Sequence, residues 1–249
     1  MSPVRPRHSS VAISSGVRSL PRTASEKPCV GEGSTWRGIL RLGSAQHRPA
    51  GTELFRQGNP PRDVYCIDTG VVKLLHERTD GRAAIVGVRS SMRILGAAAA
   101  LAGSPHIFSA LTVTDCTLYW LPSTTFLKLT RNSKRLAWFV NVLHARESLE
   151  ELEFVANLNA MMAKERLEWL LTRLRSELLC SASDPDAPVQ LPLRDWELAQ
   201  LAAISPQWLC GLMRALACEG TLERRGHRWF ICESDKISEQ PSRPRSSSS

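Results

Sequence analysis

From residue 131 to residue 180 the chain contains neither proline nor glycine, whereas from Thr52 to Leu129 one or the other recurs every few residues. A backbone stays helical over such a length only where nothing removes an amide hydrogen or frees φ. The later stretch therefore reads as helix and the earlier one as short strands joined by turns. In the earlier stretch the runs Val64 to Ile67, Val71 to Leu75, Ala83 to Val88 and Thr117 to Leu121 alternate with turn signals at Gly58 to Pro61, Asp68 to Gly70 and Asp80-Gly81. Asp80-Gly81 between two apolar runs predicts a tight hairpin with both central residues at positive φ. Hairpins spaced this closely predict a barrel or jelly roll.

The helical period begins at Leu136, Phe139, Val140 and Leu143 and continues through Leu149, Leu152, Ala156, Asn159 and Met162 to Leu167, Leu170, Leu171 and Leu174. One long helix, or two nearly collinear ones, is expected to connect the halves of the chain. It is apolar on more than one face. A second copy of the chain packed on Leu149, Leu152, Ala156, Asn159 and Met162 accounts for the surplus; burial within one subunit is the alternative. Residues 181–188 (Ser-Ala-Ser-Asp-Pro-Asp-Ala-Pro) read as a linker, with a second domain starting near Val189.

The net charge of +8 favours an anionic partner, nucleic acid or an acidic membrane surface, although much of it lies in the tails. Residues 1–37 are rich in Ser, Pro and Arg (Arg5, Arg7, Arg18, Arg22) with no acidic residue before Glu26, and read as a disordered arm. Residues 233–249 read as a solvated tail. Apolar stretches such as Ala97 to Ala102 fall far short of the ~18–20 residues of a membrane span, so no membrane association is expected. Seven cysteines without a Cys-x-x-Cys pair argue for a reducing, cytoplasmic setting. They read as small apolar core residues rather than as a redox switch. No nucleophile–base–acid constellation and no metal-spaced cluster is visible, so neither an enzyme nor a metal or other cofactor is expected.

Residues 194–218 hold two short helical patterns, Asp195 to Ala202 and Pro206 to Cys218, joined by a tight turn at Ala203-Ile204-Ser205. Ser205 is a good N-cap, and Pro206 a good first residue because it has no amide hydrogen to lose. Leu198, Leu201 and Ile204 are expected to pack on Leu209, Leu212, Met213 and Leu216, leaving Pro206, Gln207, Gly211 and Arg214 on the open side, as a major-groove helix requires. Then Thr221 to Ile231 reads as strand, basic turn and strand, bending at Gly226 and presenting Arg224, Arg225 and Arg228 to phosphates; a solvated tip is the alternative. Together these pieces read as a winged helix-turn-helix.

Over residues 38–232 the chain resembles the Crp/Fnr family of bacterial transcriptional regulators. Residues 51–58, residues 64–74 and Asp80-Gly81-Arg82 are similar to the glycine-punctuated hairpins of its cyclic-nucleotide-binding β roll. Residues 163–171 (Ala-Lys-Glu-Arg-Leu-Glu-Trp-Leu-Leu) are similar to the end of its dimerisation helix, and residues 197–202 with Ile204-Ser205 and Leu222 to Ile231 to its DNA-binding domain. The resemblance implies an α+β fold: a jelly-roll or β-roll sensor domain (38–130), a dimerisation helix region (131–180) and a winged helix-turn-helix (189–232). It implies a homodimer on a near-palindromic double-stranded DNA site, with RNA polymerase as a further partner and an unidentified small-molecule effector. On the DNA side it assigns base contacts to Pro206, Gln207 and Gly211, and backbone contacts to Arg194, Ser205, Arg214, Arg224, Arg225 and Arg228.

The effector pocket departs from the family pattern. Nucleotide-binding members carry a ribose carboxylate after the glycine of a Gly-Glu-Leu turn and hold the phosphate with an Arg-Ser pair. Here the turn is Gly96-Ala97-Ala98, and Phe108 precedes Ser109. A buried phosphate without a cation or bidentate donor is poorly compensated, which argues against ordinary cyclic AMP. His106 reads as polar loop surface, with a partial-cation role as the alternative. Glu151 and Leu152 replace the family's nucleotide-contacting hydroxyl pair. Only Cys29 precedes the β domain, against an iron–sulfur sensor, and the segment from Arg93 to Leu101 holds no Cys or His for a haem. In the second helix Gln207 suits adenine, while Trp208 is expected in the core, a thymine-methyl contact being the alternative. Gly211 weakens the helix and supplies no base contact. A binding module without specific DNA recognition is the competing reading of the whole.

Overall fold

A computed structural model describes residues 32–179 and 187–232. After helix α1 (Glu32–Leu40) come strands β1 (Ser44–Arg48), β2 (Glu53–Phe55), β3 (Asp63–Thr69), β4 (Val72–Glu77), β5 (Ala83–Arg89) and β6 (Ile94–Leu95). Helix α2 (Ala97–Ala102), strands β7 (Ser109–Thr112) and β8 (Cys116–Pro122) and helix α3 (Ser123–Asn132) follow. The strands form two antiparallel sheets, ordered β1-β8-β3-β6 and β2-β7-β4-β5. Alternation along each strand sends Tyr65, Ile67, Val72, Leu74, Ala110 and Leu118 into the layer between the sheets. The tight β3–β4 connection requires Gly70 (φ +98), because a Cβ there would lie 2.5 Å from Cys116 Sγ and 2.6 Å from the Asp115 carbonyl.

The β4–β5 connection is wider than the two-residue turn expected. Residues 78–82 are closed by Arg78 N donating to Arg82 O (2.8 Å), and only Gly81 has positive φ. The Asp80 carboxylate accepts from Arg82 N at 3.1 Å, an Asx-type bond that holds the wider loop.

The expected disordered arm, 1–37, overlaps α1: residues 32–37 are helical, and Trp36 is buried against Phe139 with ring centroids 6.4 Å apart. An aromatic side chain that finds an apolar wall is enough to hold this turn of helix. Residues 1–31 lie outside the described residues, as do the expected 233–249 tail and most of the linker.

The helical region splits into α4 (Lys134–Ala160) and α5 (Ala163–Leu179), which are not collinear. Met161 takes an extended conformation (φ −94, ψ 149), and α5 runs back along α4: Trp169 meets Phe154 with centroids 5.8 Å apart, and Arg173 Nη1 donates to Glu150 O at 3.0 Å. Side chains make the corner, so no Pro or Gly announces it. The Glu165 carboxylate accepts from Met162 N (2.9 Å), while Arg166 donates to the Leu158 carbonyl of α4, to the Met161 carbonyl just after it and to the Ala202 and Ala203 carbonyls that follow α6 (Asp195–Leu201).

The C-terminal half comprises β9 (Val189–Gln190), α6 (Asp195–Leu201), α7 (Pro206–Cys218), β10 (Leu222–Arg225) and β11 (Arg228–Ile231), with sheet order β10-β11-β9. Leu198, Leu201, Leu209, Met213 and Leu216 close its core, which also takes in Leu167, Leu170, Leu171 and Leu174 of α5 and Val71, Ile85 and Val88 of the roll. One apolar cluster therefore joins both halves of the chain.

Candidate DNA-binding surface and ligand pocket

Helix α7 starts where expected: Ser205 Oγ accepts from Trp208 N at 3.2 Å, and Pro206 occupies the first turn. Leu209, Met213 and Leu216 point inward, and Pro206, Gln207, Gly211 and Arg214 are exposed, as are Ser205 and Arg194 at the start of α6. Trp208 is not in the core. It is 61% exposed, because α6 covers the neighbouring Leu209 and leaves position 208 beside Gln207 on the open face. Cys210 and Cys218 are exposed too, whereas Cys66 and Cys116 are the small core residues anticipated. Burial pushes the Cys66 thiol up to about 12, leaving it inert at neutral pH.

Arg225 faces Arg228 across the two-residue Gly226-His227 connection of the β10–β11 hairpin. The three arginines differ in what they touch. Arg224 lies over the Trp229 ring (5.4 Å) and Arg228 donates to Gln190 (3.2 Å). Arg225 lies over Phe230 (4.7 Å) and is paired with Glu223 at 2.8 and 2.7 Å, so its charge already has a counter-ion.

In the roll, the residues that the resemblance assigns to the effector pocket lie at the start of α2 (Gly96, Ala97) and at the start of β7 (Phe108, Ser109). Gly96 adopts φ +81, with the Asp63 carbonyl 2.9 Å and His106 Cε1 3.4 Å from where a Cβ would be. His106 is not polar surface: it is 5% exposed and stacked on Phe55 (centroids 3.9 Å apart), and burial lowers its pKa, which disfavours the charged form. Ser109 is satisfied internally, accepting from Gln57 N (2.9 Å) and donating to the Glu77 carboxylate (3.1 Å), which also takes Arg56 Nε (3.2 Å). A carboxylate of the chain thus stands beside the serine that the resemblance assigns to a phosphate. Glu151 is occupied as well, accepting from Arg89 Nη2 at 2.8 Å.

Around it, Arg93 meets Glu150 (2.8 Å) and Glu177 (2.5 Å) and lies 3.8 Å from Glu147. Burial opposes the Arg93 charge, yet Glu177, Glu150 and Glu147 together hold its pKa above the ordinary arginine value. This network clamps α4 and α5 to the roll.

The seam between the halves carries residues that the sequence reading passed over. Lys73, on the outer face of β4, pairs with Glu197 of α6, which is 2% exposed and whose other oxygen accepts from Arg194 N at 2.9 Å. Gln200 accepts from Ile85 N (3.1 Å). The available signal was a lone cation inside the apolar run Val71 to Leu75, on the face opposite Val72 and Leu74.

Residues 45–133 match the cyclic nucleotide-binding domain. No functionally curated protein matches the chain. Among solved structures the chain is similar to the c-di-GMP responsive global regulator CLP of Xanthomonas campestris, at 21% identity over 81% of this chain and 100% of that one, with a TM-score of 0.64. It is similar to FixK2 of Bradyrhizobium japonicum at 17% identity over 79% and 96% (TM-score 0.67). A CRP/FNR-family transcriptional regulator of Thermus thermophilus aligns at 20% identity over 78% and 96% (TM-score 0.64). At these identities the likeness is one of fold. The chain thus has a cyclic nucleotide-binding β roll followed by helices, and its structural neighbours include CRP/FNR transcriptional regulators.

Proposed function

We propose that this chain is a homodimeric, sequence-specific DNA-binding transcriptional regulator of the Crp/Fnr type, acting in the cytoplasm. Residues 189–232 serve as its winged helix-turn-helix, and RNA polymerase is a further partner. The observation that carries the reading is the outer face of α7: Gln207, Trp208, Gly211 and Arg214 are exposed beside a hairpin with three exposed arginines, on a rigid, capped helix. In this reading Pro206, Gln207 and Gly211 approach base edges, while Arg194, Ser205, Arg214, Arg224, Arg225 and Arg228 position the phosphates. Leu149, Leu152, Ala156 and Asn159 on α4, with Met162 in the corner that follows it, pair two copies. All five are exposed, Leu152 by 67% and Met162 by 76%, and Val155 joins them. Cyclic AMP is not the effector, because the pocket lacks the ribose carboxylate and the phosphate cation.

A binding module without specific DNA recognition is the second reading, favoured by Gly211 and by the internally occupied pocket. Capture of genomic DNA by the purified full-length protein, beside an Arg224/Arg225/Arg228 triple-alanine variant at moderate salt, separates the two. A two-fold motif recovered by the wild type and lost by the variant supports the regulator. Binding without a shared motif, or none at any salt, supports the module.

A further inference from the structure

We infer that the DNA half-site read by α7 is built on A·T pairs, with Trp208 packing on thymine methyl groups and Gln207 pairing with adenine; this rests on the DNA-binding reading above. Guanine presents two acceptors to the major groove and is read by a two-donor fork, arginine or lysine. From Pro206 to Met213 the helix offers neither: its exposed residues there are Pro206, Gln207, Trp208, Cys210 and Gly211, and its first cation is Arg214, in the third turn.

Adenine presents an acceptor and a donor side by side, which the amide of Gln207 matches with both of its atoms. Thymine presents a methyl group, and the only large apolar surface on this face is the Trp208 ring, 61% exposed one residue further on. Its single N–H adds one donor for a lone acceptor such as the thymine O4.

Gly211 contributes by what it lacks. Nothing lies within 4 Å of where its Cβ would be, so the helix surface one turn beyond Gln207 is bare backbone, and the helix can seat more deeply against the base-pair edges. A tryptophan left 61% exposed keeps apolar surface in water, and burial against a methyl-bearing groove wall removes it.

The test is in vitro selection from a random duplex library with the full-length protein, followed by titration of the selected site with each thymine replaced in turn by deoxyuridine, which lacks only the methyl group. The wild type is expected to select A·T pairs under α7 and to lose about fourfold in affinity at one or more uracil positions, the worth of a methyl-sized apolar group. Trp208→Ala is expected to bind the thymine and uracil sites equally, and Trp208→Phe to restore part of the difference. Gln207→Ala is expected to lose about 5- to 150-fold in discrimination against G·C at one pair. Position 208 is exposed, so these variants fold. Selection of a G·C-centred half-site, or uracil sites bound as well as thymine sites by the wild type, overturns the inference while leaving DNA binding intact. Failure to select any sequence overturns the DNA-binding reading and this inference with it.

Discussion

In the roll, Ser109 and Glu151 have partners from within the chain, whereas the outer face of α7 keeps Gln207 and Trp208 exposed. Ser109 bonds Glu77 and Gln57, Glu151 bonds Arg89, and His106 lies flat on Phe55. Gln207 and Trp208, a few residues past a firm N-cap, stand in solvent. A binding surface is marked by what remains unsatisfied within the subunit. In the proposed reading, Ser109 and Glu151 serve the fold, while the exposed start of α7 is the surface that a partner buries.

The seam between these regions is where the comparison breaks most easily. Lys73→Met leaves Glu197 buried without its cation, and is expected to cost about 3–5 kcal/mol in urea denaturation; a loss below about 1 kcal/mol would mean that the roll does not brace α6 through this pair. On α4, Leu152→Glu is expected to shift the mass in sedimentation equilibrium from dimer to monomer, since a charge on an apolar stripe cannot be buried against its own copy. A wild type that already sediments as a monomer would remove the pairing role.

Gly211→Ala meets nothing and is expected to stabilise the protein by about 1 kcal/mol, raising Tm by about 2–4 °C. A lower Tm would show that the bare surface is needed within the fold itself. His106 offers a smaller, pH-dependent effect. Its folded pKa lies below the ordinary 6.5, so its contribution is complete above pH 6.5 and is lost as the pH falls through the lowered value. Between pH 7 and pH 5 the wild-type Tm should fall more than that of His106→Phe, which keeps the stack on Phe55. Parallel declines would mean that the ring protonates freely and the pocket is open to water. The smallest expected effect is none: cyclic AMP should leave the wild-type Tm unchanged, where a hundredfold excess over Kd would add about 2.7 kcal/mol.

Strands β3, β4, β5 and β8 of the roll, the N-cap at Ser205 and the Gly226 hairpin were legible because each rests on local chemistry: alternation, a hydroxyl that accepts an amide hydrogen, a residue that tolerates positive φ. The corner at Met161 was not legible, because Glu165 and Arg166 make it with side chains that fit helix interiors equally well elsewhere. Nor was the fate of Trp208, which lies on the boundary of the apolar arc of α7.

The sequence by itself determined that a strand-rich half precedes a helical region and a helix-turn-helix-like end, and the open side of α7 at Gln207, Gly211 and Arg214, because these depend on neighbours within a few residues or on residue type alone. Only the tertiary structure decided that Lys73 meets Glu197, that Glu77 sits beside Ser109, that His106 is buried and that Trp208 is not. Each of these depends on which surface covers which, and that is settled by residues distant along the chain.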